Sequence, residues 1–140
     1  MKIKIKKLDP SAILPAYAHK GDAGMDMFAV RDVLLKKGEL VRIPTGIAME
    51  IPKGYVGLVW DRSGLAMNYC LKTLGGVIDS GYRGEIMIGI INLGGADYVV
   101  EKGHKVAQML IQKIESPVLE EVEKLTDSER GAEAFGSTGK

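Results

Sequence analysis

Short apolar runs that alternate with polar residues, broken repeatedly by glycine and proline, leave this chain little choice but β-structure. Ile3 and Ile5 alternate with lysines, Val41 and Ile43 flank Arg42, and Ile47, Met49 and Ile51 keep the same period of two. Tyr55 to Trp60, Lys72 to Ile78, Glu85 to Asn92 and Lys105 to Ile114 read as further strands. The breaks fall at Pro44, Pro52-Lys53-Gly54, Gly75-Gly76, Gly81, Gly84, Gly94-Gly95 and Gly103. Strands of this spacing close into a sandwich or barrel. Glycine makes up 18 of the 140 residues, about twice its usual share, so many turns or close backbone approaches are expected. One short helical turn is predicted over Ser63 to Asn68, with Ser63 as its N-cap. Met25, Met27, Met49 and Met67 read as core or interface filler, and Trp60 as packing.

Charge narrows the function classes. Lysine and arginine number 19 against 18 aspartate and glutamate, a net charge of +1, which speaks against a nucleic-acid coat or a polybasic membrane binder. At this length, with 46% hydrophobic residues, one domain with one core is expected. Cys70 is the only cysteine, so no disulfide can form within the chain, and it reads as a small buried hydrophobe. The N-terminal lysines are not followed by an apolar signal region, and no apolar stretch approaches the roughly 20 residues of a membrane span. A soluble, cytoplasmic protein is expected. From about Ser128 the apolar period stops, so 1–127 reads as an all-β domain and 128–140 as a mobile arm.

The common chemical motifs are missing: there is no G-x-x-x-x-G-K-S/T loop, no H-E-x-x-H pair and no G-x-S-x-G elbow. His19 and His104 stand far apart in the chain and read as surface residues. Five segments instead place charged or hydroxylic side chains among glycines, where backbone amides can reach a ligand. They are Ala23-Gly24-Met25-Asp26-Met27, Arg62-Ser63-Gly64-Leu65-Ala66, Gly76 to Glu85, Gly103-His104-Lys105-Val106-Ala107-Gln108, and Arg130 to Gly139. Arg62 offers a planar fork that suits phosphate oxygens, with Ser63 and the Gly64 amide beside it. Gln108 can donate its amide. Asp79 offers a carboxylate that can take a proton from a water, while its place in Ile78-Asp79-Ser80-Gly81 also suits an Asx turn.

In order and spacing these segments resemble the five motifs of the trimeric dUTPases, from Ala23 to the C-terminus. The stretch Gly76 to Glu85 and the ending Phe135-Gly136-Ser137-Thr138-Gly139 are the most specific parts. The resemblance implies an all-β, jelly-roll-like subunit, a β-clip or distorted barrel with a flexible glycine-rich C-terminal arm, in a homotrimer whose active sites are each shared by three chains. It implies Mg²⁺-dependent hydrolysis of dUTP to dUMP and pyrophosphate, which limits uracil incorporation into DNA and supplies dUMP for thymidylate synthesis. Neither nucleic acid nor membrane is an expected partner.

By the same resemblance Asp79 is the general base, for water attack on the α-phosphate. Arg62, Ser63, Gly64 and Gln108 hold phosphates, and Asp26 holds Mg²⁺ through water. Tyr82 lies under the deoxyribose, where a 2′-hydroxyl would collide with it. The main chain between Thr73 and Tyr82, including Gly76, Val77 and Ile78, reads the uracil. The arm closes as a lid, bringing Phe135 onto the base and Arg130 to the γ-phosphate, with Gly136, Ser137 and Thr138 adding donors. The chain departs from the family pattern at Asp61, Thr73, His104, Glu133 and Ala134. Two other readings share this fold. A dCTP deaminase would carry a catalytic glutamate where Gly89 stands, and a non-catalytic nucleotide-binding trimer would have lost some of the residues that are present here.

Overall fold

The structure, a computed structural model, describes residues 1–132 and 134. Its elements in chain order are β1 (Lys4–Lys7), β2 (Met25–Phe28), β3 (Val33–Leu35), β4 (Leu40–Glu50), β5 (Tyr55–Trp60), α1 (Ser63–Tyr69), β6 (Leu71–Leu74), β7 (Val77–Ile78), β8 (Glu85–Asn92), β9 (Tyr98–Val100) and β10 (Lys105–Lys113). They form two four-stranded antiparallel sheets, ordered β1-β4-β8-β6 and β2-β10-β5-β7, with a small β3-β9 ribbon beside them. The architecture is all-β, as the alternation predicts, and jelly-roll-like, as the resemblance implies. No helix among the described residues is long and apolar enough to cross a membrane.

Alternation builds the core. Along β8 every second residue is buried, and Ile86, Ile88 and Ile90 meet Ile43 and Ile47 of β4 and Met25, Met27, Ala107 and Met109 of the other sheet in one apolar cluster. Met67 does not join it. That residue is 80% exposed and Trp60 is 52% exposed, so neither belongs to the core of this chain. Cys70 is also exposed rather than buried. It closes α1 in the left-handed region at φ 56° and donates its N–H back to the Ala66 carbonyl, which is the geometry of an αL helix cap.

Two predicted boundaries fall elsewhere. Pro44 does not end a strand, because β4 runs through it to Glu50 and the register slips between Pro44 and Ala48. The slip lets the first half of β4 pair with β8 and the second half with β1. Gly46 sits at the bend with φ 68°, and a Cβ there would lie 3.0 Å from Ala12, Asp9 and Val30 side chains. Its N–H donates to Glu85 Oε1 at 2.7 Å, and the buried Thr45 hydroxyl donates to the Ile86 carbonyl at 2.6 Å, so the irregular backbone is satisfied. Conversely, Lys72 to Ile78 is two strands. Gly75, at φ 67°, turns the chain from one sheet to the other, and Gly76 passes so close under the Val59 carbonyl that no side chain fits.

One buried polar residue fastens the ribbon to the sandwich. Asn92, with no exposed surface, donates Nδ2 to the Leu35 and Ala96 carbonyls at 3.0 and 2.9 Å and accepts from the Gly94 N–H at 2.9 Å. Replacing it with alanine leaves those backbone groups without partners. Asn92→Ala is expected to destabilise the protein by about 3 kcal/mol, measured by urea unfolding. A loss below roughly 1 kcal/mol would contradict this role.

Candidate active site

Three neighbouring strands supply one row of polar side chains. Gln108 of β10 pairs with Asp26 on one side and with Trp60 on the other, so Asp26, Gln108 and the residues just beyond Trp60 line up across the sheet. On β2, Met25 and Met27 turn into the core and Asp26 points away from them; on β10, Ala107 and Met109 do the same around Gln108. Beyond β5 the chain passes Asp61 and Arg62 into α1. Arg62, not Ser63, is the N-cap; it has extended backbone and makes no side-chain cap bond. Ser63 is the first helical residue and Gly64 follows it. These residues surround a cavity of about 550 Å³ whose lining includes Asp22, Asp26, Arg62, Ser63, Gly64 and Gln108.

Asp26 organises the charge in this cavity. Its Oδ1 meets Arg62 Nε at 3.1 Å and its Oδ2 meets Lys105 Nζ at 2.7 Å, with 11% of the side chain exposed. A second carboxylate braces the same region. Asp61 accepts from Lys72 Nζ, from the Thr73 N–H and from the Thr73 hydroxyl, each at 2.7 Å, while its main-chain carbonyl takes Gln108 Nε2 at 2.8 Å. Burial pushes the Asp61 carboxyl up, but the bonds from Lys72 and Thr73 together outweigh it and hold the group below the ordinary carboxylate range. Thr73 is therefore engaged through both its hydroxyl and its amide. A Cβ at Gly24 would lie 2.5 Å from Gln108 Oε1, so any side chain there would push Gln108 out of its present position.

A second, smaller cavity of about 180 Å³ is lined by Val77, Ile78, Asp79, Tyr82, Glu85 and Met87. Asp79 is exposed and opens a turn closed by the Tyr82 N–H donating to its carbonyl at 3.1 Å. Arg83 staples the turn through bonds from Nη1 to the Ser80 and Tyr82 carbonyls at 2.7 and 2.8 Å. The Tyr82 hydroxyl donates to the Glu85 carbonyl at 3.0 Å, laying the ring over Gly84, where a Cβ would meet that hydroxyl at 2.5 Å. Gly89, two residues beyond Met87, is equally closed, as a Cβ there would lie 2.8 Å from the Leu74 carbonyl. The position at which a deaminase would carry its glutamate cannot accept a side chain without moving this backbone.

Within one chain the two cavities stay apart. Ile78 pairs with Gly57 near the start of β5, whereas Arg62 follows the end of that strand. Six residues of extended chain separate the level of Asp79 from Arg62, roughly 20 Å at the strand rise. The structure thus gathers Asp26, Arg62, Ser63, Gly64 and Gln108 in one place and Val77, Ile78, Asp79 and Tyr82 in another, with Thr73 and Gly76 in the hairpin between. Arg130 is exposed in a bend at 129–132, where the Gly131 N–H donates to the Ser128 carbonyl at 3.1 Å. Phe135, Gly136, Ser137 and Thr138 lie outside the described residues. Both histidines are exposed as expected, and His104 pairs with Glu101 at 3.2 Å. Sequence reasoning passed over two residues, Asp61 as a brace and Lys105 as a partner of Asp26. Only their neighbourhood to the motif residues hinted at either.

The fold is that of a small all-β protein, and the donors of Arg62, Ser63, Gly64 and Gln108 around one cavity suit a phosphorylated ligand. Known proteins share the fold. A family model described as dUTPase matches residues 10–139. The deoxyuridine 5'-triphosphate nucleotidohydrolase of Clostridium kluyveri is 48% identical over 141 residues, covering 99% of each chain. A mutant dUTPase of Staphylococcus bacteriophage 80alpha, solved with dUpNHpp, superposes with a TM-score of 0.93 at 34% identity, covering 99% of this chain and 98% of that one. A mutant dUTPase from phage phi11 of S. aureus, described for its coordination of a structural Mg(II) ion, gives 0.84 at 32% identity over 89% of this chain and 98% of its own. The chain belongs to the dUTPase family, a family of hydrolases.

Two outcomes follow from the packing. Gly84→Ala is expected to displace the Tyr82 ring and lower kcat/KM for dUTP by about tenfold or more while the circular dichroism spectrum stays unchanged; full activity would show that the ring position is immaterial. Asp61→Ala is expected to cost about 2 kcal/mol at neutral pH. Because folding depresses this carboxyl's pKa, its contribution is whole above the ordinary value of 3.8 and fades as pH falls below it. Urea midpoints of wild type and variant should therefore converge in acid, and a gap that stays constant with pH would refute the assignment.

Proposed function

We propose that this protein hydrolyses dUTP to dUMP and pyrophosphate in the presence of Mg²⁺, as a homotrimer whose active sites are shared between chains. The observation that carries the reading is the separation of the two half-sites along the length of β5. The cradle around Arg62 suits phosphates and the Asp79–Tyr82 turn suits a nucleoside, yet roughly 20 Å of strand lies between them in a single chain. A nucleotide touching both must lie between copies. The segment that follows β10 supports such an assembly, since Val118, Leu119 and Leu125 are 96%, 90% and 80% exposed there. Apolar side chains so exposed suit a strap that lies on a neighbour.

In this reading Arg62, the Gly64 amide, Ser63 and Gln108 bind the phosphate chain, and Gln108 is oriented for it by the Asp61 carbonyl. The turn positions Asp79 to hold a water and take its proton as the oxygen bonds to the α-phosphorus. The bond from that phosphorus to the bridging oxygen breaks, and pyrophosphate departs with the electron pair. Tyr82, fixed by Glu85 and Gly84, blocks a 2′-hydroxyl and so excludes ribonucleotides. Main-chain groups from Thr73 to Tyr82 read the uracil. Arg130 and the arm with Phe135, Gly136, Ser137 and Thr138 close over the bound nucleotide, with Arg130 directed to the γ-phosphate.

The residues present fit a magnesium ion that arrives with the triphosphate. No group of three or more histidine, cysteine, aspartate or glutamate side chains among the described residues could cage a metal, and magnesium is commonly held by one or two carboxylates, waters and substrate phosphates. Asp26 would hold its water shell, with Asp22 on the same cavity wall. When bound, the ion neutralises charge on the phosphates and the departing pyrophosphate. The enzyme would work on the cytoplasmic nucleotide pool, keeping uracil out of DNA and supplying dUMP for thymidylate synthesis.

Purified protein incubated with Mg²⁺ and dUTP, dCTP or UTP in parallel should release pyrophosphate from dUTP alone, and Asp79→Asn should lose that activity by at least a hundredfold. Ammonia from dCTP would establish the deaminase reading instead; binding of dUTP without any product would leave a nucleotide-binding trimer. Shared sites have their own signature. Arg62→Ala and Asp79→Asn chains, each inactive, should recover activity when refolded together, since about one site in four would then draw an intact half from each parent. No recovery, with mixed trimers verified by mass, would show that each chain works alone.

A further inference from the structure

We propose that Lys105 is a positioning residue of the phosphate cradle, aimed there by a β-bulge; the inference deepens the proposed dUTPase reading and rests on it. In a regular antiparallel ladder with Gln108 opposite Asp26 and Ala107 opposite Met27, Val106 would face Phe28. Instead Lys105 is the partner of Phe28, and Val106 is the extra residue. The inserted residue inverts the alternation. Val106 and Ala107 are buried in succession, at 1% and 0% exposure, and Lys105 emerges on the face of Asp26 and Gln108 rather than on the core face. Bulges that re-aim one side chain are concentrated beside active sites. Here the re-aimed group is an ammonium 2.7 Å from Asp26 Oδ2, with 41% of its side chain exposed.

Lys105 also holds Arg62 by a second route. Its main-chain carbonyl accepts Arg62 Nη1 at 3.4 Å, while Asp26, gripped by Lys105, takes Arg62 Nε at 3.1 Å. One residue therefore fixes two edges of the guanidinium. The charges matter as well. On the cavity wall Asp22 and Asp26 stand against Arg62 alone, and Lys105 brings that local sum from −1 to zero, which eases the approach of a polyphosphate. Without it the carboxylate would face the incoming phosphates with one counter-charge instead of two.

The test compares Lys105→Met with Lys105→Arg in the full-length enzyme, using dUTP turnover, binding of the non-hydrolysable dUpNHpp, and thermal unfolding. Lys105→Met is expected to raise KM for dUTP and Kd for dUpNHpp by about ten- to a hundredfold, to lower kcat less than tenfold, and to flatten the dependence of KM on salt. Lys105→Arg is expected to restore KM to within a few fold of wild type. An unchanged KM and salt dependence in Lys105→Met, or a change confined to the unfolding temperature, would overturn the proposal. If wild-type enzyme fails to turn over dUTP but binds dUpNHpp, the hydrolase reading falls while the binding comparison still judges Lys105.

Discussion

A nucleoside triphosphate carries close to four negative charges, and this chain, at a net +1, has no general positive field with which to attract it. The charge has to be concentrated locally. Such a concentration is present where Asp26 meets two cations, Arg62 at 3.1 Å and Lys105 at 2.7 Å. A buried carboxylate left unpaired would be costly, and two cations crowded together without it would repel each other. Held as a triad, they keep a guanidinium fixed before any ligand arrives. Sheet order makes this arrangement available, because β10 lies between β2 and β5 and so sets Lys105 beside both Asp26 and the Arg62 that follows β5.

The alternation of apolar residues made most strands legible, and the two four-stranded sheets follow from it. What escaped were features whose cause is not periodic. The β3-β9 ribbon has three residues on each side, too few to show a period, and it owes its place to the buried Asn92. Pro44 looks like a terminator, yet a strand can pass through it where the ladder is already slipping. Gly75-Gly76 reads as a break, though Lys72 to Ile78 reads as one strand, and only the structure makes it the corner between two sheets. Ser63 has the residue type of an N-cap, but the chain enters α1 one residue earlier.

Residue chemistry exposed the site in a similar, partial way. Asp26, Arg62, Asp79, Tyr82 and Gln108 stand out because charged, phenolic and amide groups among glycines are hard to account for by packing. Asp61 and Lys105 do not stand out, since an aspartate and a lysine are ordinary surface residues until their partners are known. The bonds that give them meaning reach from Asp61 to Thr73 and from Lys105 back to Asp26, across strand pairings that one-dimensional patterns do not contain. The distance between the two half-sites is hidden for the same reason. Asp79 and Arg62 are 17 positions apart in the chain (79 − 62), and only the pairing of β7 with β5 turns that spacing into opposite ends of a strand.

Stability and chemistry share the same strands by dividing their residues according to parity. On β2 and β10 the core receives Met25, Met27, Ala107 and Met109, and the residues between them, Asp26 and Gln108, line the cavity. This division lets the chemical face vary without repacking the core. It also ties register to function, because a slip of one residue would bury Asp26 and expose its methionine neighbours. Parity can be changed safely only where an extra residue is inserted, and Val106 is such an insertion. The bulge keeps two successive apolar residues in the core and still delivers the next side chain, Lys105, to the opposite face. A residue that the strand pattern alone would send inward thereby becomes part of the charged triad.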